Sequence, residues 1–144
     1  MGYQWVMAQH LFVYGTLQPD HAPAELAPAI RGLQKLGRGH VSGQLYDLGD
    51  YPGATLDPAA RTRVHGLVFA LPDDGAVLSA LDAYEGFDPT DPANSPFSRT
   101  RARVQLSDGQ QIEAWMYVYN RDPRGAPRIA DGRYIGRRSA QRQP

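Results

Sequence analysis

Cysteine is absent from the chain. That excludes a disulfide scaffold, a cysteine-ligated zinc site and a cysteine nucleophile together, and it is compatible with the cytoplasm. Lysine is nearly absent, since Lys35 stands alone and arginine supplies the remaining positive charge. No apolar run approaches the roughly 20 residues that a membrane-spanning helix needs. The opening residues, MGYQWVMAQH, lack the basic stretch followed by an apolar stretch that marks a secretory signal. The expectation is a cytoplasmic protein that does not engage a membrane. Neither a GxxxxGK[ST] loop nor a GxGxxG run occurs, so nucleotide phosphates are not the obvious ligand. A GxSxG nucleophile elbow is missing too. None of the four histidines, His10, His21, His40 and His65, stands four residues from another. Each is expected to be structural or superficial, and no metal site is expected.

What is present reads as one globular domain. The chain has 144 residues, 42% of them apolar, with eight Tyr, four Phe and two Trp. That length can bury a core without staples. Charge balances overall, 15 basic against 15 acidic residues, but residues 120–144 hold seven Arg and only two Asp. These arginines are dispersed among Pro, Gly and Gln. They read as a solvated tail, and no nucleic-acid partner is expected.

Residues 10–14, HLFVY, form an apolar run stopped by Gly15, the pattern of a buried strand entering a tight loop. Residues 22–30 offer one or two helical turns interrupted by Pro28. Residues 34–48 are strand-like but rich in glycine, as a strongly bent strand requires. Tyr51-Pro52-Gly53 reads as a turn and residues 62–71 as a strand. The clearest helix follows Pro72, Asp73 and Asp74, which offer capping, and places Val77, Leu78, Leu81 and Tyr84 on one face before Gly86 stops it. Residues 87–98 contain three prolines and read as a loop. Residues 101–106 and 111–119 alternate apolar and polar positions around Asp108-Gly109, a hairpin signal. About six strands with one clear and one weak helix make an α+β domain, its mostly antiparallel sheet curled into a barrel.

Three places carry candidate chemistry. Glu85 lies at a helix C-terminus between aromatic neighbours. The helix dipole and exclusion of water both disfavour the carboxylate and raise its pKa toward neutrality. An isolated glutamate at a helix end is, however, more often simply solvated. Tyr14-Gly15-Thr16-Leu17 is a strand-to-glycine turn whose backbone N–H groups can hold a carboxylate or an oxyanion, or merely turn the chain. Trp115, Tyr117 and Tyr119 share one side of a strand, packing on the sheet or lining a cavity.

Taken together and in order, FVYGTL at 12–17, GQLYDLGDYPG at 43–53, HGLVFAL at 65–71, LDAYEG at 81–86, FSRTRARV at 97–104 and AWMYVY at 114–119 resemble the γ-glutamylcyclotransferase superfamily. The branch they are most similar to includes the AIG2-like proteins and γ-glutamylamine cyclotransferase. The resemblance spans about residues 11–135 and leaves 136–144 as an irregular basic tail. It implies a small mixed barrel with flanking helices around a cavity. It also implies Glu85 as the acid/base and a substrate site formed by Tyr14, Gly15, Thr16 and Leu17, with Tyr119 among the contacts. The implied reaction is cyclisation of a γ-glutamyl amide to 5-oxoproline, without a cofactor, in a monomer or weak homodimer. A non-catalytic binding module with the same cavity is the alternative. The loop 87–98 departs from the family pattern and could cover the cavity mouth.

Overall fold

The computed structural model describes residues 9–15, 24, 26–72 and 75–134. Six strands lie among the described residues: β1 (Gln9–Val13), β2 (Gln34–Asp47), β3 (Pro52–Leu56), β4 (Arg63–Leu71), β5 (Phe97–Leu106) and β6 (Gln111–Tyr119). Two helices, α1 (Ala27–Arg31) and α2 (Ala76–Glu85), and a 3₁₀ turn at Pro92–Asn94 complete the described elements.

Strand order is β3-β2-β4-β1-β6-β5, and β5 pairs back onto β2 at Gly39↔Leu106 and His40↔Gln105. Five strands therefore close into a ring, β2-β4-β1-β6-β5, with β3 attached outside it. All pairings are antiparallel except β1 with β6. The expected α+β class and mixed, mostly antiparallel barrel are what is found. The 14-residue β2 serves two partners, pairing with β4 as far as Ser42 and with β3 from Gly43 onward.

Side-chain alternation divides the core. Phe12, Val41, Val64, Val68, Val104 and Met116 belong to a buried cluster drawn from all five ring strands. Leu11, Val13, Ile30, Phe69, Leu71 and Leu81 form a second cluster that seats both helices on the barrel wall. β1 feeds both clusters, which is why HLFVY reads as an unbroken apolar run. Each such side chain contributes about 1.5–3 kcal/mol by leaving water.

The hairpin forms as expected, with Phe97↔Tyr119 through Gln105↔Gln111 in register. Ala102, Val104 and Leu106 are buried, while Arg101 and Arg103 point outward.

Four local expectations are corrected. Tyr51-Pro52-Gly53 is not wholly a turn, because Pro52 opens β3. Proline is tolerated there as the first residue of a strand outside the ring. β5 starts at Phe97, inside the segment expected as loop. Pro28 does not interrupt α1 but occupies its first turn, where the missing N–H has no intrahelical acceptor. Finally, α2 is capped by Gly75 without a side-chain hydrogen bond. Asp73 and Asp74 lie outside the described residues, as do Thr16, Leu17, His21 and the tail 136–144.

The loop after α2 is tied internally. Asp88 N–H donates to Ser95 Oγ at 2.9 Å, and the Asn120 amide donates to Pro92 O at 3.0 Å and Ser95 O at 2.9 Å. Arg121 adds a bond to Asn94 O at 3.0 Å. Beyond β6 the described residues form no strand, yet they dock along the sheet. Asp47 N–H donates to Pro127 O, Ile129 N–H to Leu45 O and His65 N–H to Gly132 O, each at 2.8 Å.

Candidate active site

A cavity of about 380 Å³ opens where the C-termini of β1 and α2 meet the starts of β3 and β5. Tyr14 and Gly15 border it on one side and Glu85 and Gly86 on another, with Pro52, Phe97 and Tyr117 completing the wall. The last residue of α2 thus faces a loop seventy positions earlier in the chain. Tyr51 and Tyr84 stand at the mouth, 44% and 41% exposed. Tyr84 therefore does not join the core face of α2 as its spacing predicts.

Two glycines shape this space. A Cβ on Gly15 would lie 2.6 Å from the Pro52 ring, so the chain at position 15 approaches Pro52 this closely only with glycine. Gly86 has φ +75°, a left-handed conformation that ends α2, and its N–H returns to the carbonyls of Asp82 and Ala83. This cap terminates the helix at Glu85 and aims the side chain at the cavity.

Glu85 is only partly accessible, and no hydrogen bond or ion pair to its carboxyl comes from any described residue. Burial pushes its pKa from 4.5 up to about 7. Exclusion of water is one of the two causes expected from the sequence.

Three residues earlier, Asp82 is treated differently. Arg99 holds it through Nε at 2.8 Å and Nη2 at 3.1 Å, and the Tyr117 hydroxyl donates to Oδ1 at 2.6 Å. The Arg99 guanidinium also stacks 4.5 Å from the Trp115 ring and 5.7 Å from the Phe87 ring. Tyr117 is buried, and desolvation together with its Asp82 partner raises its pKa well above the phenol range.

Tyr14 reaches the cavity as a strand tie. Its hydroxyl donates to Tyr117 O at 2.6 Å and accepts from Ala54 N–H at 3.1 Å, linking β1 to β6 and β3. Burial and the nearby Glu85 charge keep its pKa far above the usual value.

Of the residues singled out from the sequence, Tyr14, Gly15 and Glu85 come together here. Tyr119 does not line this cavity; its ring packs 5.4 Å from Phe97 and lines an adjacent groove with Tyr51, Asp122 and Pro123. Tyr117 takes the place expected of Tyr119: both lie on the same side of β6, and the cavity is reached two residues earlier along the strand. Sequence reasoning weighed Tyr117 as packing on the sheet or lining a cavity without assigning it to the site, and it missed Asp82, Arg99, Pro52 and Phe97. The available signal was alternation along AWMYVY, which puts Tyr117 and Tyr119 on one side without saying which reaches the cavity.

Elsewhere, His40 and His65 face each other across β2 and β4 with ring centroids 5.7 Å apart. Burial, and then the neighbouring arginines, lower the pKa of both. Among the described residues, no three His, Cys, Asp or Glu side chains gather to hold a metal ion. No helix among them is long and apolar enough to cross a membrane.

Residues 11–136 match a family described as gamma-glutamyl cyclotransferase, AIG2-like. The chain is 34% identical over 131 residues to the gamma-glutamylcyclotransferase family protein YtfP of Escherichia coli (strain K12), covering 88% of this chain and 96% of that one. It is 30% identical over 128 residues to the gamma-L-glutamyl-butirosin B gamma-glutamyl cyclotransferase of Niallia circulans, covering 88% and 76%. The solution structure of the E. coli protein superposes with a TM-score of 0.60 at 32% identity, over 90% of this chain and 99% of that one. An AIG2-like protein of Mus musculus shares the fold with a TM-score of 0.65 at 21% identity, over 85% and 86%.

Proposed function

The chain belongs to the AIG2-like γ-glutamyl cyclotransferase family, and from that premise we propose that it cyclises a γ-glutamyl amide to 5-oxoproline and releases the attached amine. The observation that carries this reading is Glu85: a desolvated carboxyl with a pKa of about 7, in a cavity bordered by Gly15. The Niallia circulans relative, named for γ-glutamyl cyclotransfer on a γ-L-glutamyl compound, supports the reaction class.

In this reaction the substrate's α-amine attacks its own γ-carbonyl. Nucleophile and electrophile share one molecule, so the protein's tasks are orientation and proton management. Holding the chain of the substrate folded contributes up to roughly 7–11 kcal/mol of barrier lowering. The Glu85 carboxylate accepts a proton from the attacking nitrogen as the C–N bond forms. The resulting carboxylic acid returns it to the departing nitrogen as the old C–N bond breaks, and the carboxylate is regenerated. A group with a pKa near the working pH serves both halves of that cycle. The backbone N–H groups of the loop beginning at Gly15 are assigned to the substrate carboxylate or the developing oxyanion. The apolar wall of Phe12, Val13, Pro52 and Phe97 keeps water from competing.

The test is a panel of γ-glutamyl amino acids, peptides and amines assayed for 5-oxoproline release between pH 5 and 9. Release from at least one, with kcat/KM rising tenfold per pH unit until about pH 7, is the expected result. No release from any of them would leave a binding module in place of an enzyme.

A further inference from the structure

Tyr117 has one hydroxyl proton, and Asp82 takes it at 2.6 Å. Asp82 is itself fixed by the two-point grip of Arg99, with side chains only 18% and 11% exposed. Arg99 cannot swing away easily, since it is stacked against Trp115 and Phe87. The phenol therefore has a defined polarity. Its donor side points at Asp82, and what remains on the oxygen is acceptor capacity. Tyr117 lines the same cavity as Glu85, and the Glu85 charge bears on this phenol.

From this geometry we infer that Asp82 fixes the Tyr117 proton so that the phenolic oxygen accepts an N–H of the substrate's α-amino group. The inference rests on the cyclisation proposed above. It makes Tyr117 the amine-positioning residue, while Asp82 and Arg99 act through it. A free tyrosine would rotate its hydroxyl and donate to whichever carbonyl or carboxylate came near. A tyrosine committed to a buried aspartate discriminates in favour of donors. Among the cavity's groups, an α-ammonium is then bound by an oriented acceptor and a carboxylate, Tyr117 and Glu85. One proton of the ammonium passes to Glu85, which leaves the amine held by Tyr117 with its lone pair free to attack. Glu85 gives that proton to the departing nitrogen, and its regenerated carboxylate takes the second proton from the ring nitrogen and passes it to the released amine.

The experiment compares two ligands in a Glu85→Gln background, where turnover is suppressed. One is a γ-glutamyl amide that the wild-type protein cyclises; the other is its desamino analogue, the matching glutaric acid monoamide. Calorimetric affinities are measured with and without Tyr117→Phe. The expected result is a loss of about tenfold to a hundredfold for the amine-bearing ligand, as for a hydrogen bond to a charged group, and a change under threefold for the desamino analogue. Asp82→Asn, which can donate to the phenol oxygen, should produce the same ligand-selective loss. Equal losses for both ligands would overturn the inference and reduce Tyr117 to cavity shape, with the cyclisation still standing. If the wild-type protein cyclises no γ-glutamyl amide, the reaction assignment and this inference fall together.

Discussion

Two carboxylates leave the last turn of α2 three residues apart and meet opposite environments. Asp82 is buried among donors, with both oxygens claimed by Arg99 and one by Tyr117 as well. Glu85 is desolvated without a described partner, and its pKa rises to about 7. The contrast teaches that burial alone does not define a reactive acid. A carboxylate becomes useful for proton transfer when it loses water without gaining partners, and structural when the partners are supplied.

Glu85→Gln breaks the comparison most severely by removing the exchangeable proton. The expected fall in kcat is about 10²–10⁴-fold with substrate affinity retained, measured as 5-oxoproline release against calorimetric binding. A variant with near-native kcat would take Glu85 out of the mechanism.

Asp82→Ala removes the other member and should cost about 3 kcal/mol in urea unfolding, because Arg99 is left charged in a poorly hydrated place. A loss below 1 kcal/mol would mean that Arg99 finds solvent and that the pair is dispensable.

Stability against pH sharpens the contrast from the other direction. A carboxyl raised from 4.5 to about 7 binds its proton more tightly in the folded state. Its stabilising effect is complete below pH 4.5 and is lost as pH rises through 7. Glu85→Gln should therefore match wild type in stability near pH 4 and exceed it above pH 7, by up to about 3 kcal/mol. Unfolding curves at pH 4 and 8 with a constant offset would refute the burial argument.

The mildest expectation concerns an exposed pair. Arg101 and Glu113 meet at 3.6 Å with side chains 59% and 63% exposed. Glu113→Ala should shift stability by less than about 1 kcal/mol, and 0.5 M salt should erase the difference.

Much of the frame was legible because it is written locally. The β5–β6 hairpin follows from alternation at Ala102, Val104 and Ala114 and from Asp108-Gly109 between them. The end of α2 follows from Gly86. Segments whose local chemistry points elsewhere were misread: Pro52 has turn composition but opens a strand that pairs with β2, and Phe97 extends β5 into a proline-rich stretch. The meeting of Gly15 with Glu85 depends on the pairing of β1 with β4 and β6, which no local pattern encodes. It was reached through the resemblance of several motifs read together. The Asp82–Arg99–Tyr117 linkage went unseen because its members lie 17 and 35 positions apart, and each alone looks like an ordinary surface or core residue.

The loop between α2 and β5 completes the picture. Its hydrogen bonds run within itself, from Phe87 N–H back to Asp82 O, and to Asn120 and Arg121 just past β6, so it is held as a rim beside the cavity. Only Pro96 and Gly86 at its two ends border the cavity. A segment wired this way is a cassette: its interior can be exchanged or lengthened while the flanking residues hold the same posts. Changes to that interior would then alter the threshold of the chamber without redesigning the barrel beneath it.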